Sequence, residues 1–148
     1  MRKTRVTILL LVVALLLIIP ATVLANKQIF KATLGPGADG NAAGSAVMGV
    51  TPNGVTYMLS VHGLSEQPWG AHIHAADGSI IATLCGTPTP SNGPCTMQNG
   101  MLQVTGSLTG PMVNMTQAQF LAGLQSGQFY VNVHTSAGVV ATGVLLPQ

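Results

Sequence analysis

The chain has 148 residues, only 5% of them charged, with five basic residues against three acidic ones. Three of the basic residues, Arg2, Lys3 and Arg5, lie at the amino terminus, and no arginine follows them. From residue 26 onward two lysines stand against three carboxylates, which gives that part a net charge of −1. Binding to nucleic acid or to anionic lipid requires clustered Lys and Arg side chains, so this composition excludes both kinds of partner.

The amino-terminal segment is typical of a secretory signal peptide. A basic start is followed by a strongly apolar run from Val6 to Ile19, and Val23 and Ala25 have the spacing of a small-residue cleavage signal. We predict a signal peptide over residues 1–25 and one secreted or cell-surface domain over residues 26–148. The apolar run is shorter than the roughly 18 to 20 residues of a membrane span, so membrane contact is expected only if the segment stays uncleaved.

Short runs with the two-residue alternation of β-strands fill the first half of this domain. The Asn53-Gly54 pair separates two such runs and predicts a hairpin with a type I′ turn. In the second arm of that hairpin Val55, Tyr57, Leu59 and Val61 share one face, which we expect to face the core.

Turn and cap signals define the later elements. Asp77-Gly78 predicts a second hairpin, and the terminal runs QFYVNVHT and VVATGVLLP predict a third. Thr116 is placed to cap a short helix that ends near Gly127. About eight strands and one short helix result, and we predict an all-β domain in the form of a single β-sandwich.

Cys85 and Cys95 are the only cysteines and bracket a loop rich in proline and glycine. In an oxidising compartment such a pair most simply forms a disulfide, and a metal-binding pair is the alternative.

Two of the four histidines, His72 and His74, are two positions apart in a predicted strand. Their side chains therefore leave the same face, with Cα atoms roughly 6.5 to 7 Å apart. Together with His134 on another strand they could bind copper or zinc, and His62 is a weaker fourth candidate. The alternative is that these imidazoles form hydrogen bonds within a polar layer of the sheet.

The sequence offers little for catalysis. None of its serines lies in a G-x-S-x-G motif, and the carboxylates Asp39, Glu66 and Asp77 suggest no acid/base pair. An enzymatic role is therefore not the first expectation. Asn114-Met115-Thr116 fits a glycosylation acceptor, which matters only in a eukaryotic host.

The segments AHIHAADGSIIATL and GQFYVNVHTSAGVVATGVL, after FKATLGPG and VTYMLSVHGLS, resemble the CHRD domain, the module first described in chordin and also found in bacterial secreted proteins. The resemblance runs from about Phe30 to Leu146 and implies an extracellular, immunoglobulin-like Greek-key β-sandwich with no activity established for the family as a whole. The positions that match the family motifs are His72, His74, Tyr130, Asn132, Val133 and His134. The family often carries GEIRGQL after its NVHT. This chain has GVVATGVL there, and so lacks the two charged residues of that motif and any partner contact made through them.

A more local resemblance is to copper/zinc superoxide dismutase, which also presents a His-x-His strand on a Greek-key sandwich. That likeness implies further metal ligands after the His-x-His pair, but His134 is the only histidine that follows His74. It also implies an arginine that guides an anionic substrate, and no arginine follows Arg5. Two functions follow as hypotheses. The first is a non-enzymatic extracellular binding or structural module with an unidentified partner and oligomeric state. The second is a copper- or zinc-binding protein, distantly dismutase-like.

Overall fold

The computed structural model describes residues 27–38, 40–108, 112 and 114–148, so the predicted signal peptide lies outside the described residues. This part of the chain is all-β with one short helix, as the sequence predicts. The strands are β1 Gln28–Pro36, β2 Ala43–Thr51, β3 Gly54–His62, β4 Gly70–His74, β5 Ile80–Gly86, β6 Met97–Gln98, β7 Met101–Leu108, β8 Tyr130–Thr135, β9 Gly138–Val144 and β10 Leu146–Pro147. The helix α1 spans Gln117–Gln125. Among the described residues, no helix has the length and apolar character needed to cross a membrane.

All strand pairs are antiparallel, in the order β5-β4-β8-β9-β1-β2-β3-β7-β6, with β10 added beside β1. Strand β1 joins the two halves of this curled sheet. Its residues 28–34 pair with β2, whereas Gly35 and Pro36 pair with β9. The chain therefore bends at the end of β1 and brings β9, β8, β4 and β5 over the other strands, with the core between them. The Greek-key order implied by the family resemblance stays a prediction.

The core follows from the alternation of apolar side chains. In β3, Val55, Tyr57, Leu59 and Val61 are buried, which confirms the predicted face. The largest side chains that are almost completely buried come from both halves and from the helix, among them Phe30, Leu34, Met48, Leu59, Ile73, Leu84, Leu102, Phe120, Leu124 and Leu145.

The first hairpin forms, but its predicted turn is wrong. Thr51 pairs with Gly54, so the two loop residues are Pro52 and Asn53 rather than Asn53 and Gly54. Proline has a fixed negative φ, so a type I′ turn is not available there. The turn with two positive φ angles lies instead at Asn99 (52°) and Gly100 (75°), between β6 and β7.

The helix begins and ends where the sequence indicates. Thr116 is the N-cap, and its hydroxyl accepts a hydrogen bond from the Gln119 backbone N–H while the Gln119 side chain accepts one from the Thr116 N–H. Gly127 follows the last turn with a φ of 65°. Phe120 is fully buried and stacks on Phe129, with ring centroids 5.4 Å apart, so α1 closes one side of the core.

One buried hydroxyl connects the two halves of the sheet. The Tyr57 hydroxyl on β3 donates to the Leu84 carbonyl on β5 (2.5 Å) and accepts from the Asn92 side-chain amide (2.6 Å). Burial raises the pKa of Tyr57, so the hydroxyl stays protonated and remains a donor at neutral pH.

Replacing Tyr57 with phenylalanine removes both hydrogen bonds, and with them the buried polar link between β3 and β5. We expect the free energy of unfolding to fall by about 1–3 kcal/mol in urea denaturation. The matched control is Tyr130→Phe, which removes a hydroxyl from a half-buried ring on β8. Equal stability of Tyr57→Phe and the wild type would contradict this role.

Candidate metal centre

The pairing of β4 with β8 sets the positions of the candidate residues. His72 lies directly opposite Asn132, His74 opposite Tyr130, and Gly70 opposite His134. Residues paired in this way share one face of a sheet, so both strands present these side chains on the same side. The alternate residues fill the core and are fully buried: Ala71, Ile73, Val131 and Val133. The three histidines therefore lie on the outer face of the sheet, away from the core.

The structure brings the three predicted ligands together. One imidazole nitrogen from each of His72, His74 and His134 can be chosen so that all three lie within 4.8 Å of one another. His74 Nε2 and His134 Nε2 are 3.5 Å apart and share a hydrogen bond. Nitrogen ligands at about 2.0–2.1 Å from a tetrahedral zinc ion are roughly 3.4 Å apart, so a small movement would let the group hold one ion.

His62, the weaker fourth candidate, is not brought into this group. It is exposed at the end of β3, where it pairs with Met101 of β7 in the other half of the sheet. Among the described residues, the group of potential metal ligands contains only the three histidines of β4 and β8.

Backbone carbonyls fix which nitrogen carries the proton on two of the three rings. His72 Nε2 is hydrogen-bonded to the Thr87 carbonyl, and His74 Nδ1 to the Gly78 carbonyl at 2.9 Å. Because a carbonyl oxygen only accepts, each of these ring nitrogens is the N–H donor. The lone pairs of the neutral rings are therefore on His72 Nδ1 and His74 Nε2. Metal-bound histidines commonly have their second nitrogen engaged in this way.

Burial favours the neutral form of the His134 and His72 imidazoles. Together with smaller contributions from the nearby His72 and His74, it lowers the pKa of His134 to about 4. Burial also lowers the pKa of His72, with a smaller contribution from His74, against the Thr87 hydrogen bond, which raises it. A metal competes with protons for these lone pairs, so a site with lowered pKa values is available at neutral pH.

Two aromatic rings enclose the group. Trp69, almost half exposed, has its ring centroid 4.9 Å from that of His134 and 5.6 Å from that of His72. Its indole N–H donates to the Thr135 carbonyl and its backbone N–H to the His134 carbonyl. Tyr130 stacks on His74 with centroids 5.4 Å apart. Trp69 therefore shields the outer side of the site from solvent.

The predicted disulfide between Cys85 and Cys95 is present, and both residues are buried. It closes the loop that carries Thr87, the hydrogen-bond partner of His72. The Thr87 backbone N–H also donates to the Trp69 carbonyl at 3.2 Å. The disulfide loop therefore positions both Thr87, which is hydrogen-bonded to His72, and Trp69, which lies over the histidine group.

Two glycines, Gly70 and Gly86, allow the disulfide loop to lie close to His72 and Trp69. A Cβ atom on Gly70 would lie 2.8 Å from His72 Nε2, and one on Gly86 would lie 2.0 Å from the Trp69 carbonyl oxygen. Gly86 also has a φ of 79°, which favours glycine. The sequence showed both glycines, but their role depends on which segments meet in the fold.

Glu66 and Asp77, two of the three carboxylates considered for catalysis, are engaged in turns. Glu66 accepts hydrogen bonds from the Ser136 hydroxyl and the Ala137 N–H, and Asp77 accepts from the hydroxyl and N–H of Ser79. These bonds lower the pKa of both carboxyl groups. Asp39 lies outside the described residues.

Comparison with known proteins gives one family. Residues 22–139 match the CHRD domain family model, which is well over half of the chain. The matched range includes β4 and β8, and so all three histidines. A search of curated proteins returned no match.

The lowered pKa of His134 predicts a pH dependence of stability in metal-free protein. The unfolded chain binds a proton near pH 6.5 but the folded chain only near pH 4, so stability falls as the pH drops from about 6.5 towards 4. His134→Ala should reduce this loss, measured as the urea midpoint between pH 7 and pH 4 in the presence of a chelator. His62→Ala is the control and should keep the wild-type slope. An unchanged slope in His134→Ala would contradict the burial argument.

Proposed function

The chain belongs to the CHRD domain family, and we propose that it is an exported, non-enzymatic module that binds one copper or zinc ion through His72, His74 and His134. The apolar, basic-flanked segment over residues 1–25 and the buried disulfide support an extracytoplasmic location. Any partner protein would be met in that compartment.

The observation that carries the proposal is the orientation of the rings. The Thr87 and Gly78 carbonyls take one N–H each from His72 and His74, so the opposite nitrogens bear lone pairs. In a layer held only by hydrogen bonds, each buried ring nitrogen would have a protein partner. His72 Nδ1 is instead buried without one, which favours a bound ion.

The donor set favours copper or zinc over calcium and magnesium. Neutral imidazoles suit both ions, whereas calcium and magnesium require oxygen ligands, usually from carboxylates. Glu66 and Asp77 are held in turns at the surface by Ser136 and Ser79. Neither carboxylate belongs to the histidine group, so the proposed site contains no described carboxylate.

The test is metal content and affinity in protein expressed without an affinity tag. Wild-type protein should bind one equivalent of copper or zinc, and His72→Ala, His74→Ala and His134→Ala should each bind at least about tenfold more weakly. His62→Ala is the matched control and should bind as the wild type does. Trp69, the only tryptophan, lies beside His134, so copper binding should also quench its fluorescence.

Circular dichroism of each variant shows whether the fold is retained. Wild-type protein that binds neither ion would refute the proposal, as would His-to-Ala variants that are folded and bind as well as the wild type.

The disulfide should strengthen metal binding by holding Thr87 beside His72. Replacing Cys85 and Cys95 together with alanine removes a cross-link worth on the order of 2–3 kcal/mol of stability. In the folded variant, measured well below its unfolding temperature, we expect about tenfold weaker zinc binding, the effect typical of losing a group that orients a ligand. Unchanged affinity in a folded double variant would show that the loop does not orient His72.

A further inference from the structure

Two buried side-chain atoms in the described part of the chain have no hydrogen-bond partner, and they belong to paired residues. They are His72 Nδ1 and Asn132 Oδ1. Asn132 is 8% exposed and His72 is fully buried. The two residues lie directly opposite one another on β4 and β8.

Neither atom can satisfy the other. His72 Nε2 donates to the Thr87 carbonyl, so Nδ1 of the neutral ring has only a lone pair. The Asn132 amide oxygen is also an acceptor only. Leaving either one unpaired in the interior costs about 1–3 kcal/mol. Each atom therefore has a buried lone pair that a bound cation could accept.

The side chains of His72 and Asn132 are placed so that both could bind one ion. The Cβ atoms of directly opposed residues are about 4.5–5.5 Å apart. In both side chains the unpartnered atom is bonded to Cγ, so the two atoms extend equally far from their strands. Asn132 also lies between Tyr130 and His134 on the face of β8 that carries the site.

We propose that Asn132 Oδ1 is the fourth ligand of the ion held by His72, His74 and His134. This inference rests on the proposed metal binding and extends it to selectivity. Three imidazoles and one amide oxygen form a four-coordinate set suited to divalent zinc or copper. A soft monovalent copper ion gains little from an amide oxygen, so Asn132 selects for the divalent state.

The experiment compares zinc with monovalent copper by chelator competition in the wild type, Asn132→Ala and Asn132→Asp. In Asn132→Ala we expect zinc affinity to fall at least about tenfold, whereas monovalent copper affinity changes less than about threefold. Asn132→Asp restores an oxygen ligand and should bind zinc at least as tightly as the wild type. Thr142→Ala is the matched control, because Thr142 pairs with Asn132 on β9 but is exposed.

A direct readout is the side-chain amide signal of Asn132 by NMR, which should shift when one equivalent of zinc is added to the wild type. Zinc affinity unchanged in Asn132→Ala overturns the inference. An equal loss of zinc and monovalent copper also overturns it, because that result indicates a structural role. Wild-type protein that binds no metal refutes the proposed function itself, so the two failures are distinguishable.

Discussion

The antiparallel pairing of β4 with β8 is the constraint on which the site depends. Its register places His72 opposite Asn132 and His74 opposite Tyr130, while Ile73 and Val131 face the core. A shift of one residue would exchange the two sets and put the histidines into the apolar interior. Burial of the apolar set therefore also holds the polar set on the outer face. The same contacts that stabilise the sheet position the candidate ligands.

A second condition is that this outer face is shielded. An outward-facing imidazole on an open sheet would be hydrated and would titrate near its ordinary pKa. Here the Cys85–Cys95 loop and Trp69 cover the group, and the resulting burial lowers the pKa values of His72 and His134. The cover is tied to the site by hydrogen bonds from Trp69 to the carbonyls of His134 and Thr135. The disulfide loop thus both shields the group and, through the Thr87 carbonyl, orients His72.

The sequence predicted the parts of this arrangement that depend on local pattern. The two-residue spacing of His72 and His74, the strand that carries His134, the cysteine pair and the N-cap at Thr116 could all be recognised. What it could not predict depends on contacts between segments far apart in the chain. The Thr87 and Gly78 carbonyls carry no signal in the sequence, because every residue has a backbone carbonyl. The position of Trp69 beside the histidines depends on where its loop meets β8. The predicted position of the first turn was wrong for a local reason. Gly54 is paired in the strand, so the two loop residues are Pro52 and Asn53.

The Thr87 and Gly78 carbonyls hold His72 and His74 in different tautomers, with the lone pairs on His72 Nδ1 and His74 Nε2. Long-range ¹H–¹⁵N NMR of the histidine rings in metal-free protein at neutral pH tests this most directly. We expect a proton on Nε2 of His72 and on Nδ1 of His74, each as a single tautomer. Averaged signals from both tautomers at these two residues, as in a freely hydrated imidazole, would contradict it.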